Sequence, residues 1–182
     1  MTTNKKVHII AGGTVNKVRQ HFALAAPAFG SVGRVLQKLC IQEMPDMDIV
    51  LHLTRMAGGA NDLVTNEDVR RLVGELKDDP LTKVIIMAAA ITDFVGEVDA
   101  PNGRLKTSNG PLTMKLVPDD KIINAIRNEP NSSGVVRKDI FLVSFKATTD
   151  TTPQEQYLTA LSNLKRSSSN LVFANDLENG RC

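Results

Sequence analysis

The sequence predicts an α/β fold: a mostly parallel sheet flanked by helices, with one long flap loop. Three observations carry this. Short runs rich in Val, Ile and Leu recur along the chain, and stretches with helical spacing of apolar residues separate them. One run, Lys83 to Ala89, is apolar almost throughout, as a strand covered on both faces must be. A chain of 182 residues suffices for one substantial core and does not require two, so residues 1–182 read as a single domain.

The elements follow in order. The first strand is Val7 to Ala11, and Gly12-Gly13-Thr14 comes directly after it. A helix over Val32 to Gln42 places Val32, Val35, Leu36 and Leu39 on one face. Asp48 to Leu53 is the second strand. Thr65-Asn66-Glu67-Asp68 is a capping-box start for a helix reaching about Leu76. After the central strand comes a polar stretch, Asp93 to Pro111, rich in Gly, Asn, Ser and Lys; loops of this length in compact domains are usually functional. Leu112 to Val117 alternates like an exposed strand, and Asp119 or Asp120 is expected to cap a short helix to about Asn128. Pro130 to Gly134 is a turn, and Ile140 to Phe145 a buried strand. Thr152-Pro153-Gln154-Glu155 combines a Thr cap, Pro at the first helical position and Glu at the third. The helix it starts puts Tyr157, Leu158, Leu161 and Leu164 on one stripe, and Leu171 to Ala174 is the last strand.

Composition excludes several functions. A formal net charge of +2, with no cluster of Lys and Arg among aromatics, argues against nucleic acid as a partner. No window of about 18 apolar residues exists to span a membrane. The polar start, Met1 to Lys6, lacks the apolar core of a secretory signal, so the cytoplasm is the expected location. Cys40 lies in a helical apolar pattern and reads as a buried thiol. Neither it nor Cys182 has metal-ligand spacing. His8 and His52 alternate with apolar strand residues and read as structural, and His21 stands apart. No metal site is expected from the protein alone.

In an open α/β sheet ligands bind beyond the carboxyl ends of the strands. Here that places four segments along one edge: Gly12-Gly13-Thr14, Ala88 to Asp93, Phe145 to Asp150, and Asn175-Asp176. Two glycines after a strand bring backbone N–H groups near an anion, or simply turn the chain. Ala88 to Ala90 either admit a ligand close to the backbone or pack tightly. Asp93 either holds a ribose or base edge or caps a turn. Lys146, directly after a buried strand, either meets a ligand or is solvated. Arg104, Lys106 and Lys115 on the flap either close over a phosphate or stay in solvent.

Taken together, the order Gly12-Gly13-Thr14, Ala88 to Phe94, Arg104-Leu105-Lys106, Ser144-Phe145-Lys146 and Ala174-Asn175-Asp176 resembles the phosphopantothenoylcysteine synthetase family over nearly the whole chain. The resemblance implies a Rossmann-like homodimer. It implies activation of 4′-phosphopantothenate by ATP or CTP with Mg²⁺ as an acyl-nucleotide, then displacement of the nucleotide by the amine of cysteine. Carried over by residue, it assigns Ala89, Asp93, Phe94, Phe145, Lys146 and Asn175 to the nucleotide. Gly12, Gly13, Thr14, Gly30 and Arg34 go to phosphate or substrate, and Arg104 and Lys106 to charge stabilisation on the flap. Cations on a closing loop favour the transition state, where charge builds on the α-phosphate.

Two departures qualify this. The family's Asn before its first helix is replaced by Ala26, in the segment Ala26-Pro27-Ala28-Phe29-Gly30, and the Gly30, Gly33, Arg34 pattern follows. The family also continues beyond Ala-Asn-Asp, whereas this sequence halts at Cys182, so the sheet is expected to lack an edge or the chain to be cut. Two other readings therefore stand beside ligation. One is a nucleotide-binding relative that has lost it; the other keeps carboxylate activation with a different acid or amine.

Overall fold

A computed structural model describes residues 4–60, 62–101 and 103–178; Cys182 lies outside the described residues. Five strands run parallel: β1 (Lys6–Arg19), β3 (Asp48–Leu53), β4 (Thr82–Ala90), β7 (Phe141–Thr148) and β8 (Leu171–Asp176). Their order across the sheet is β3-β1-β4-β7-β8, so the chain reverses its direction of winding between β1 and β4. That reversal is the switch point at which doubly wound sheets open a crevice.

The first strand is longer than its apolar run. Gly12-Gly13-Thr14 is not a strand-end turn: β1 carries straight on to Arg19, and its outer half pairs antiparallel with β2 (Phe22–Ala26), Thr14 opposite Ala26. The glycines are needed because other backbone presses on them. A Cβ on Gly13 would lie 2.2 Å from the Ala26 carbonyl oxygen and 2.7 Å from the Ala28 nitrogen, and Gly12 adopts φ 109°.

Helix α1 (Ser31–Glu43) covers one face of β1 and β3. It does so through Gly33, Leu36 and Cys40, while Val32, Val35 and Leu39, which the apolar spacing turned inward, are about half exposed. The reason is again close approach. A Cβ on Gly33 would come within 2.3 Å of the Ala11 methyl, so the helix sits on its smallest residue rather than its most apolar stripe. The opposite face is covered by α2 (Asn66–Asp78), α3 (Ile122–Asn128) and α4 (Pro153–Ser167). Its core joins Ile10, Ile85, Met87 and Leu142 of the sheet to Val69, Val73 and Ile126 of the helices. Both expected capping boxes are present: Thr65 with Asp68 on α2, and Thr152 with Glu155, followed by Pro153, on α4. On α4, Tyr157 and Leu158 of the expected stripe remain exposed.

The flap is not wholly a loop. Its start is a strand, β5 (Phe94–Val98), pairing antiparallel with β6 (Met114–Pro118). Nor does Asp119 or Asp120 cap α3; Lys121 holds the cap position, with no side-chain bond to the helix, and Asp119 turns elsewhere. Among the described residues no helix is long and apolar enough to cross a membrane.

Candidate functional site

The carboxyl ends of β4, β7 and β8 open into a cavity of about 420 Å³. Residues 87–93 form one wall, Phe145 to Ala147 and Asn175 another, and Asp119 to Asn124 with Asn163 and Arg166 the rest. Five residues expected at the nucleotide therefore meet here: Ala89, Asp93, Phe145, Lys146 and Asn175. Parallel pairing explains why. Lys146 lies beside Ala174 and Ala147 beside Asn175, so the two strand ends arrive level. Phe145 stacks on Phe173, ring centroids 5.3 Å apart, which fixes the aromatic wall. Asp93 is ion-paired with Lys121, a neighbour its sequence position did not announce.

Other expected residues go elsewhere. Gly12, Gly13 and Thr14 do not line the cavity. The Gly13 N–H is spent on the Ala28 carbonyl, and Thr14 is fully buried. Gly30 starts α1 at φ 74°, where a Cβ would meet the Ala57 methyl at 2.8 Å. Arg34 reaches back from α1 to the carbonyls of Phe29 (3.1 Å) and Ala57 (2.6 Å), a clamp between helix and turn. Phe94 opens β5, and its carbonyl accepts from Asn16. Arg104 and Lys106 are exposed on the flap and do not line the cavity. The flap is drawn toward the β1–β2 turn: the Leu105 N–H donates to His21 Nε2 at 3.1 Å, and Arg19 donates to the carbonyls of Val98 and Ala100. Ala26, in β2, is likewise outside the cavity wall.

Beneath the cavity lies a buried polar network that no spacing in the sequence signalled. Asn66, 1% exposed, donates to the Thr92 carbonyl and to Asp119 Oδ2, both at 2.8 Å. Its Oδ1 accepts from the Thr14 hydroxyl (2.7 Å) and the Thr92 hydroxyl (2.9 Å). Asp119 Oδ1 accepts from Arg70 at 2.6 Å, and Asn16 bridges Asp119 to the Phe94 carbonyl. Burial alone would push the Asp119 carboxyl up; hydrogen bonds from Asn66, Asn16 and Arg70, with the Arg70 charge, outweigh it and hold the carboxyl below its ordinary range. The network ties β1 and α2 to the two segments, Ala90–Asp93 and Asp119–Lys121, that border the cavity. Thr14 lies inside β1 and Asn66 opens α2, and only the topology shows that they touch.

A second polar pair, of buried His8 and half-buried His52, stands apart from the cavity. His8 Nδ1 and His52 Nε2 are 2.9 Å apart, on neighbouring strands. Burial first, then the charges of His52 and Lys6, lower the His8 pKa to about 4.

The family described as the DNA/pantothenate metabolism flavoprotein C-terminal domain matches residues 2–182. The chain belongs to that family. The resemblance read from Gly12 to Asp176 is thereby borne out. A curated relative, the coenzyme A biosynthesis bifunctional protein CoaBC of Thermococcus kodakarensis, is 24% identical over 178 residues, 96% of this chain. This chain spans 42% of that protein's length. Among solved structures, the DNA/pantothenate metabolism flavoprotein from Streptococcus pneumoniae superimposes with a TM-score of 0.76 at 17% identity, over 96% of this chain and 83% of that one. A Cab2 mutant in complex with phosphopantothenate-cysteine gives 0.66 at 16% identity, over 96% and 73%. At such identities the likeness establishes the Rossmann-like fold of the family domain.

Proposed function

We propose that this member of the family is a ligase domain that activates the carboxylate of 4′-phosphopantothenate with ATP or CTP and joins it to cysteine. The observation that carries the reading is the meeting of Ala89, Asp93, Phe145, Lys146 and Asn175 around one cavity at the sheet's carboxyl edge. Two relatives support the substrate: one is named for coenzyme A biosynthesis, the other holds phosphopantothenate-cysteine.

The chemistry suits these groups. A carboxylate oxygen attacks the α-phosphorus and pyrophosphate leaves; the amine of cysteine then attacks the acyl carbon and the nucleotide leaves, forming the amide. Negative charge grows at the α-phosphate in the first half, and Lys146 stands on the cavity wall to meet it. Arg104 and Lys106 would add to it once the flap leaves His21 and swings over the opening. Asp93 offers a carboxylate to ribose hydroxyls, and the small wall at Ala88 to Ala90 admits a flat base against backbone.

Mg²⁺ would arrive on the phosphates, which supply most of its oxygen ligands, and would neutralise their charge. Among the described residues no group of three or more His, Cys, Asp or Glu side chains is arranged to hold a metal ion, which suits a cation carried largely by the substrate's phosphates. Asp120, on the cavity wall, would be the carboxylate to meet it. A homodimer follows from the same reading. Val32, Val35 and Leu39 on the exposed face of α1, with Phe29 just before it, offer an apolar surface for it.

The test is direct. The protein is incubated with phosphopantothenate, Mg²⁺ and ATP or CTP, with and without cysteine. Pyrophosphate release together with amide formed only when cysteine is present is expected. Nucleotide binding without turnover would replace ligation by a binding role. Ala26 favours one variant of the reading: with no side-chain amide at that position, the amine or acid could differ, and pyrophosphate release without amide from cysteine would identify it.

A further inference from the structure

Asp93 and Lys121 face one another across the cavity wall, one at the end of β4 and the other ahead of α3, and their side chains form an ion pair. Lys121 was no part of the expected site. It is the third cation of the lining, with Lys146 and Arg166, against the carboxylates of Asp93, Asp119 and Asp120. Asp119 is already committed to Arg70 and Asn66, and Asp93 is the carboxylate that pairs with Lys121, with Asp120 next to it in the chain. We infer that Lys121 is a phosphate-binding side chain held in store by Asp93, and that a nucleoside triphosphate splits the pair. Its ribose takes the Asp93 carboxylate, and its phosphates take the Lys121 ammonium. This rests on the nucleotide reading of the cavity.

Magnitudes make the exchange downhill. The two side chains are 42% and 51% exposed, and an ion pair so open to solvent contributes little to stability. A charge-assisted bond from an ammonium to a phosphate is worth roughly twice a neutral hydrogen bond, and Asp93 gains hydroxyl donors in return. In the free protein the pair does the opposite service. It keeps a bare carboxylate from repelling an approaching polyanion, and keeps a bare ammonium beside the place where that polyanion binds.

The experiment compares wild type, Lys121→Gln and Lys121→Arg by titration calorimetry, with ATP and CTP and with the parent nucleosides. Lys121 lies on the surface, so neither variant threatens folding. Expected for Lys121→Gln is triphosphate affinity weaker by about tenfold or more, the loss of one charge-assisted bond. Nucleoside affinity should be unchanged or tighter because Asp93 is unmasked, and Lys121→Arg should restore most of the triphosphate affinity. Unchanged or tighter triphosphate binding in Lys121→Gln overturns the inference: Lys121 then only masks Asp93. Equal weakening of nucleoside and triphosphate overturns it too, since Lys121 would then act by shaping the wall. Should wild type bind neither nucleotide, the nucleotide reading itself fails and the inference falls with it.

Discussion

Asn66 accepts from two threonine hydroxyls and donates to a carbonyl and a carboxylate, so both lone pairs and both amide protons are used, out of reach of water. Asn66→Ala removes four hydrogen bonds; Asp119 keeps Arg70 and Asn16 and Thr14 keeps the Ala90 carbonyl, but the Thr92 hydroxyl and carbonyl lose their Asn66 partner. The expected cost is roughly 2–4 kcal/mol in urea denaturation, with nucleotide affinity falling too because the cavity border at Thr92 loses its anchor. Asp93→Ala and Lys146→Ala touch no such network, and each should leave stability near wild type while removing the rise in Tm that nucleotide produces. Unchanged nucleotide stabilisation in both would take them out of the site. The His8–His52 pair sets a pH dependence. His8 titrates near 6.5 when unfolded and about 4 when folded, so between these values the unfolded chain holds more protons. Stability therefore falls as pH drops from 6.5 toward 4, by as much as about 3 kcal/mol. His8→Gln, which keeps a hydrogen-bonding side chain but cannot titrate, should flatten that slope, leaving the share due to His52, whose pKa burial also lowers.

At the scale of elements, what was legible follows from local chemistry. The bounds of β3, the capping boxes of α2 and α4, and the apolar β4 are each written in adjacent residues, and each is observed. What was not legible depends on residues far away in the chain. Gly12-Gly13 looks like a break, yet the strand runs through it because Ala26 and Ala28 need the space a side chain would fill. β5 is short and contains Gly96 and Glu97, so only its pairing with β6 reveals it as a strand. The inward face of α1 was decided by Gly33 against Ala11 rather than by the count of apolar residues. A tight contact of this kind gives a sharp test. Gly13→Ala places a methyl 2.2 Å from the Ala26 carbonyl oxygen, so it should cost at least about 2 kcal/mol by thermal denaturation and free the β2 hairpin to faster amide exchange.

For the whole molecule, the winding order places the crevice before any side chain is considered. β1 and β4 are neighbours at the reversal, and β7 and β8 extend the same edge, so residues 89, 93, 145, 146 and 175, far apart in the chain, become neighbours. This half of the site could be anticipated, because strand ends and sheet logic suffice for it. The other half could not. Gly30 and Arg34 belong to the packing of α1, Thr14 to the Asn66 network, and Arg104 and Lys106 to a flap tethered at His21. Lys121, which does line the cavity, sits in a connection with no motif to mark it. If the carboxyl ends of β4, β7 and β8 hold a nucleoside phosphate, diffraction from crystals grown with ATP or CTP and Mg²⁺ should show density for the nucleotide between Ala89–Asp93 and Phe145–Lys146, with Asn175 at its border. Density lodged instead in the groove between α4 and β8 lined by Tyr157, Leu161 and Phe173, or on the far face of β1, would contradict it.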